Sequence, residues 1–391
     1  MVVNVVKLGD VATISAGQSA PKSNYFCEEG IPFVRAGSLE FLERGESIDL
    51  CEKISEDNAQ ICRLKLYPKN SILFAKSGMS ANKGRIYKLE RNAYIVSHLA
   101  IITPDETKLI PEYLMYWLQK HPPKTLIKDE SYPSIGLTDI ANMEIELPPL
   151  DKQKKIAKIL DKADEIRAKK KLANDKLDEF LKSTFISMFG NPETNDKHWG
   201  TGTIRDIVKE AKYGTSSKAR SEGTYPILRM GNLTYEGAIT LDDLKYIDLK
   251  DNELEKYLVK QGDILFNRTN SKELVGKTAV YRYEQPMAFA GYLVRVRTNE
   301  KANAEFLSAF MNSDYMKRIL QLKCKNIVGM ANINAQELQD FNIYIPPMEL
   351  QNKFAKIVEK VEAQKQKNEL VIEQMNNLFN SLSQRAFKGD L

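Results

Sequence analysis

One stretch of this chain occurs twice, 198 residues apart. Residues 145–189 read IELPPLDKQKKIAKILDKADEIRAKKKLANDKLDEFLKSTFISMF, and residues 343–387 read IYIPPMELQNKFAKIVEKVEAQKQKNELVIEQMNNLFNSLSQRAF. Each opens on a proline pair, Pro148-Pro149 and Pro346-Pro347, then runs about 40 residues without Pro or Gly. In the second copy Phe354, Ile357, Val361, Val371, Met375, Leu378 and Leu382 step by threes and fours, with polar Gln364 and Asn368 in the middle. The first keeps the register with Ile156, Ile159, Ala163, Ile166, Ala173, Leu177 and Phe180, and Lys170 in the middle. A sustained 3.5-residue period is the mark of a coiled-coil helix, here about 60 Å long. Such a narrow apolar seam needs a partner, and two equal copies supply it. The spacing predicts an antiparallel pair with an approximate two-fold axis, in which Lys170, Gln364 and Asn368 face each other and fix register at some cost in stability.

The segments before each helix also repeat. Leu8-Gly9-Asp10-Val11 corresponds to Ile204-Arg205-Asp206-Ile207, and Pro32, Arg35 and Gly37 to Pro226, Arg229 and Gly231. Ile72-Leu73-Phe74 corresponds to Ile264-Leu265-Phe266, Gly84 to Gly276, and the helix start Pro111-Glu112-Tyr113-Leu114 to Ala304-Glu305-Phe306-Leu307. The offset drifts between 192 and 198, so the loops differ in length. A tandem duplication follows: globular segment 1–147, helix 148–190, globular segment 191–345, helix 346–391. Short apolar strands around one amphipathic helix make each globular segment mixed α/β, and the whole chain α+β.

Composition narrows the chemistry. With 391 residues and 42% hydrophobic content the chain predicts two or three globular domains. No run of 18 apolar residues is present and no signal peptide is read at the start. Cys27, Cys51, Cys62 and Cys324 lack CxxC spacing, which points to a reducing, cytoplasmic setting without a zinc site. His98, His121 and His198 are scattered, which disfavours histidine-based catalysis. There is no GxGxxG, no GxxxxGK[ST], no GxSxG and no HExxH. Neither catalytic residues, nor a metal, nor a cofactor is expected; the chain reads as a binding module. Its net charge of +5 is a weak pointer to nucleic acid and predicts weak DNA binding without partners.

The best binding candidates are the loops after the Ile-Leu-Phe strands. The first offers Lys76, Ser77, Asn82, Lys83 and Arg85; the second Asn267, Arg268, Thr269, Asn270, Lys272 and Lys277. Arg and Lys suit guanine O6/N7, Asn suits adenine N6/N7, and the rest suit phosphates of double-stranded DNA. Arg35 with Ser38, and Arg229 with Asn232, stand at matching strand ends. A second loop pair, residues 131–136 with Ser134 and residues 328–334 with Asn332 and Asn334, ranks beside the first. Lysines flank the heptad seams, Lys152, Lys154, Lys155, Lys158 and Lys162 in the first helix and Lys353, Lys356 and Lys360 in the second; they read as solvated faces or as contacts to phosphate or partner.

The duplication and its paired PPL-x-x-Q and PPM-x-x-Q starts resemble the specificity (S) subunit of type I restriction-modification systems. The carrying residues are Pro148-Pro149-Leu150…Gln153 with Ile156-Ala157, and Pro346-Pro347-Met348…Gln351 with Phe354-Ala355. The likeness covers essentially the whole chain. It implies two target recognition domains, each reading one half of a bipartite, asymmetric DNA sequence. The helices then act as a spacer that sets the gap and docks two methyltransferase (M) subunits, joined by restriction (R) subunits. Adenine-N6 methylation and cleavage belong to the complex, not to this chain. Recognition loops vary freely in that family, so no base-contacting residue is carried over by motif. A specificity part of another restriction-system type, a stand-alone repressor-like DNA-binding protein and a coiled-coil scaffold are the competing readings.

Overall fold

The computed structural model describes residues 4–327 and 330–387. The chain packs as two compact units, Met1–Lys169 with Val371–Leu391, and Lys170–Leu370. The division runs through both long helices, Leu150–Phe189 and Met348–Phe387, so each unit contains one globular domain and half of each helix.

In the first unit a four-stranded antiparallel sheet has the order Ala12–Ala16, Leu99–Pro104, Ile72–Ala75, Ile86–Lys88. Ile72-Leu73-Phe74 is buried on both faces, as its unbroken apolar run requires. Alternation sends Ile72 and Phe74 to one core, with Tyr113, Leu114 and Trp117 of the helix Pro111–Lys120, and Leu73 to another, with Phe33 and Ile95. The second unit repeats this: Val208–Tyr213, Leu293–Thr298, Ile264–Asn267, Thr278–Val280, with Ile264 and Phe266 facing Phe306 and Phe310, and Leu265 facing Leu228 and Phe289. In each unit a two-stranded ribbon, Asn4–Lys7 with Glu144–Leu147 or Thr201–Thr203 with Asn342–Tyr344, leads into a long helix.

Within each unit the half-helices pack on each other and on the domain. In the first, Ile156 and Leu160 share a core with Phe379 and Leu382. In the second, Phe185 and Phe189 meet Phe354. There the partners rise in number on one helix as they fall on the other: Asn174 with Asn368, Asp178 with Lys365, Phe185 with Phe354. That is antiparallel packing.

The expected polar layer forms inside the second unit. Asn368 is buried; its Oδ1 accepts from Lys170 Nζ (3.3 Å) and Gln364 Nε2 (3.2 Å), and its Nδ2 donates to Asn174 Oδ1 (2.7 Å). The apolar seam buries the expected Ile156, Ala163, Phe354 and Val361 but departs from the expected positions elsewhere. Ile159, Phe180 and Leu378 are 43, 49 and 45% exposed, while Leu160 and Val358 are buried. These helices serve a globular core as well as each other, and the core draws the buried stripe one residue along.

Candidate DNA-binding surface

The two loop pairs of the sequence reading form one surface in each unit. In the first, Ser77 bridges Ser134, the Gly78 N–H donates to the Pro133 carbonyl (3.0 Å), and the Ile135 N–H donates to the Lys76 carbonyl (2.8 Å). In the second, Thr269–Asn270 pairs with Met330–Asn332, and the Ile333 N–H donates to the Arg268 carbonyl (2.9 Å). The frames match further: the Lys76 N–H donates to the His98 carbonyl (2.9 Å), and the Arg268 N–H to that of Tyr292 (3.0 Å). Gly84 and Gly276 close both loops at φ of 63° and 86°, a left-handed conformation that favours glycine. A Cβ at either would also collide, with Lys124 Cδ at 2.8 Å or Leu320 Cδ1 at 2.5 Å.

On these frames the side chains differ. In the first unit Lys83 and Ser134 are exposed, Lys76, Ser77 and Asn82 are half-buried, and Ser77 Oγ hydrogen-bonds His98 Nδ1 at 2.9 Å. In the second, Lys272 is exposed, and Asn270, Arg268 and Asn332 are half-buried. The Arg268 guanidinium lies 4.8 Å from the Tyr213 ring centre and donates to Asn332 Oδ1 (3.3 Å) and the Gly291 carbonyl (3.4 Å). Asn332 Nδ2 in turn donates to Thr269 Oγ1 (2.7 Å). Val328 and Gly329 lie outside the described residues.

Several expected contact residues are instead internal, which corrects their reading as surface donors. Asn267 and Thr269 are buried. Lys277 is buried too; its ammonium donates to the carbonyls of Met230 (2.8 Å) and Leu233, and burial pulls its pKa below the usual lysine range. Asn232 is 2% exposed: its Oδ1 accepts the Arg229 N–H (2.9 Å) and its Nδ2 donates to the Thr240 and Asp242 carbonyls. Ser38 makes the corresponding cap on the Arg35 N–H (3.2 Å). Arg229 is held by Asp243 (2.8 Å), Arg35 by Glu52, and Arg85 by Glu40 (3.1 Å) and Glu43 (3.3 Å). Asn334 caps the helix Ala335–Gln339, accepting the N–H groups of Gln336 and Glu337.

Sequence reasoning missed the aromatic side chains of the surface. Tyr132 is 82% exposed two residues from Ser134, the Tyr213 ring lies under the Arg268 guanidinium, and Tyr292, whose carbonyl accepts the Arg268 N–H, is 51% exposed. Tyr213 is 55 residues from Arg268 in sequence, so only strand pairing brings them together. Among the described residues no helix is long and apolar enough to cross a membrane, and no group of three or more His, Cys, Asp or Glu could hold a metal ion.

The family model described as type I restriction modification DNA specificity domain matches residues 2–177 and again 196–374. The type I restriction enzyme EcoKI specificity subunit of Escherichia coli (strain K12) is 21% identical over 418 residues, covering 99% of this chain and 89% of that protein. The MjaIX specificity subunit of Methanocaldococcus jannaschii is 32% identical over 151 residues, 37% of this chain and 34% of that one. Among solved structures, the S subunit of a type I restriction-modification system from M. genitalium aligns with a TM-score of 0.58 at 15% identity, covering 98% of this chain and 96% of that chain. A chain from a structure concerned with complex assembly and conformational transition of the type I R-M system aligns at 0.54 and 17% identity, covering 99% and 98%. Two loop frames of one design, carrying different side chains, and two matches to one domain model lead to one conclusion: the chain belongs to the type I restriction-modification DNA specificity family and carries its specificity domain twice.

Proposed function

We propose that this chain is the specificity subunit of a type I restriction-modification complex in which each recognition domain reads one half of a bipartite, asymmetric target in double-stranded DNA. The observation that carries this is the shared backbone frame with unlike side chains: Lys76 bonded to Ile135 in one domain, Arg268 to Ile333 in the other. Like frames present loops to the duplex in like ways, and different side chains select different bases. Two methyltransferase subunits bind the long helices, and restriction subunits join them. Exposed apolar side chains on those helices, Leu172, Phe180 and Leu370 among them, suit partner contact better than water. Adenine-N6 methylation and cleavage reside in the partners, and the complex acts on DNA in the cytoplasm.

The test is a map of N6-methyladenine across the source genome with and without this gene. Loss of methylation at one bipartite motif on both strands is the expected result. Exchange of residues 76–85 with 131–136, or of 267–277 with 328–334, for the loops of a relative then alters one half of the motif. No change in any motif, combined with tight DNA binding by the isolated chain, would favour a stand-alone DNA-binding protein instead.

A further inference from the structure

The second unit holds a cavity of about 430 Å³ between the helices Ala304–Met311 and Asp314–Lys323 and the adjoining halves of the two long helices. The duplication tells what such a site holds. Matching hydrogen bonds pin the register: Gln153 Oε1 accepts the Ile110 N–H and Gln351 Oε1 the Asn303 N–H, both at 2.8 Å. The helix Pro111–Lys120 therefore aligns on Ala304–Met311, one residue after each of those amides, while the long helices align 198 residues apart. On this register Ala309 stands for Tyr116, and Leu181 for Phe379.

In the first unit Tyr116 fills the site. Its ring meets Phe379 edge-on at 5.6 Å and its hydroxyl donates to Asp161 Oδ1 at 2.7 Å. Arg167 lies over Phe379 and pairs with Asp164 at 2.7 Å. Four neighbours have counterparts lining the cavity: Phe354 for Ile156, Val358 for Leu160, Glu362 for Asp164, Lys365 for Arg167. The second unit keeps the apolar walls of a tyrosine site without the tyrosine, while Glu359, the counterpart of the acceptor Asp161, is exposed and stands outside the cavity.

The walls also suit a phenol chemically. Phe185, Phe354 and Val358 offer an apolar bed for a ring. Glu305 is held by Arg282 (2.6 Å), and Glu362 lies near Arg282 and Lys365, but the six lining carboxylates outnumber Lys182, Arg318 and Lys365, so the lining disfavours an anion while still offering hydrogen-bond acceptors.

We infer that this cavity binds a phenolic group in the place that Tyr116 occupies in the first unit. The group is that of a small molecule or of a tyrosyl side chain of a partner.

Calorimetric titration of the full chain with p-cresol tests this. One saturable site with a dissociation constant on the order of 1 mM or tighter is expected. Ala309→Tyr, which supplies the ring from within, should weaken binding about tenfold or more, whereas Leu181→Phe, which restores the edge-on partner that Phe379 gives Tyr116, should leave it at least as tight. If Ala309→Tyr does not fold, Ala309→Leu, which fills the same space with an aliphatic side chain, carries the test. Binding of N-acetyltyrosinamide as tight as that of p-cresol assigns the site to a partner's tyrosine; binding of p-cresol alone assigns it to a small molecule. Absence of binding by both probes, binding undiminished in a folded Ala309 variant, or p-toluate binding as tightly as p-cresol would overturn the inference.

Discussion

The Gln153 side chain accepts the Ile110 N–H at 2.8 Å and donates to the carbonyls of Lys108 (2.9 Å) and Pro148 (2.8 Å). Gln351 repeats this with Asn303 (2.8 Å), Lys301 (3.1 Å) and Pro346 (2.7 Å). Both glutamines are fully buried. The first turn of each long helix is thereby joined to the loop that starts the domain's own helix. Gln153→Ala or Gln351→Ala strands one amide and two carbonyls inside the protein, and each is expected to destabilise its unit by about 1–3 kcal/mol. Thermal unfolding with limited proteolysis checks this; cleavage should begin near residues 108–110 in the first variant and 301–303 in the second.

The layer around Asn368 gives a second prediction. Asn368→Leu leaves Asn174 and Lys170 facing an apolar side chain and should destabilise by about 1–3 kcal/mol. Replacing Asn174 by Leu as well removes both halves of the pair, and the double variant should recover part of the loss. A double-mutant cycle in urea should return a coupling energy of about 0.5–3 kcal/mol. A value of zero would deny the 2.7 Å hydrogen bond any energetic role.

How much of this was legible beforehand depended on the range of the interaction. A heptad pattern and a proline pair are local, so both long helices and the duplication could be read directly. The choice between Ile159 and Leu160 as the buried residue could not, because it depends on which face the domain covers. Loop composition pointed to residues 76–85 and 267–277, yet nothing in it separates exposed Lys272 from buried Lys277, whose partners Met230 and Leu233 lie more than 40 residues away. The pairing of Ser77 with Ser134 was equally hidden, since each loop reads as an ordinary turn.

That difference between Lys272 and Lys277 separates two kinds of variant. Lys83→Ala and Lys272→Ala remove exposed charges from the candidate surface. Each should weaken DNA binding by the assembled complex and reduce the salt slope by about 0.9 for every phosphate no longer neutralised, with unchanged thermal stability. Lys277→Ala frees the carbonyls of Met230 and Leu233 and should instead lower the unfolding midpoint. Electrophoretic titration at several salt concentrations, paired with thermal melts, distinguishes the two.

Acid should act on a charged cluster in the second unit. Fully buried Arg295 pairs with Glu210 at 2.6 Å, and Arg297 pairs with Asp263 at 2.7 Å. Burial alone would raise the Glu210 carboxyl, but Lys212 and Arg295 outweigh it and hold its pKa below the usual glutamate range. The folded state thus binds this proton less readily than the unfolded chain. The pair's contribution is present above the unfolded value of about 4.3 and is lost as pH falls through the lower folded value. Glu210→Gln should lower the urea midpoint at pH 7, and the gap from the parent protein should close as pH drops from about 5 towards 3. A gap that does not change with pH would remove Glu210 ionisation as its cause.

Spacer length is the last quantity open to direct manipulation. A seven-residue insertion preserves the heptad phase and lengthens a helix by about 10 Å. Inserted into both long helices, beside Lys170 in one and Asn368 in the other, it keeps the polar layer and both recognition domains intact. If the helices set the gap between half-sites, methylation mapping should return the same two half-sites with a longer gap. A five-residue insertion turns the seam about 140° out of phase and should abolish methylation by disrupting the helix pair. An unchanged gap after the seven-residue insertion would mean that something other than helix length sets the target spacing.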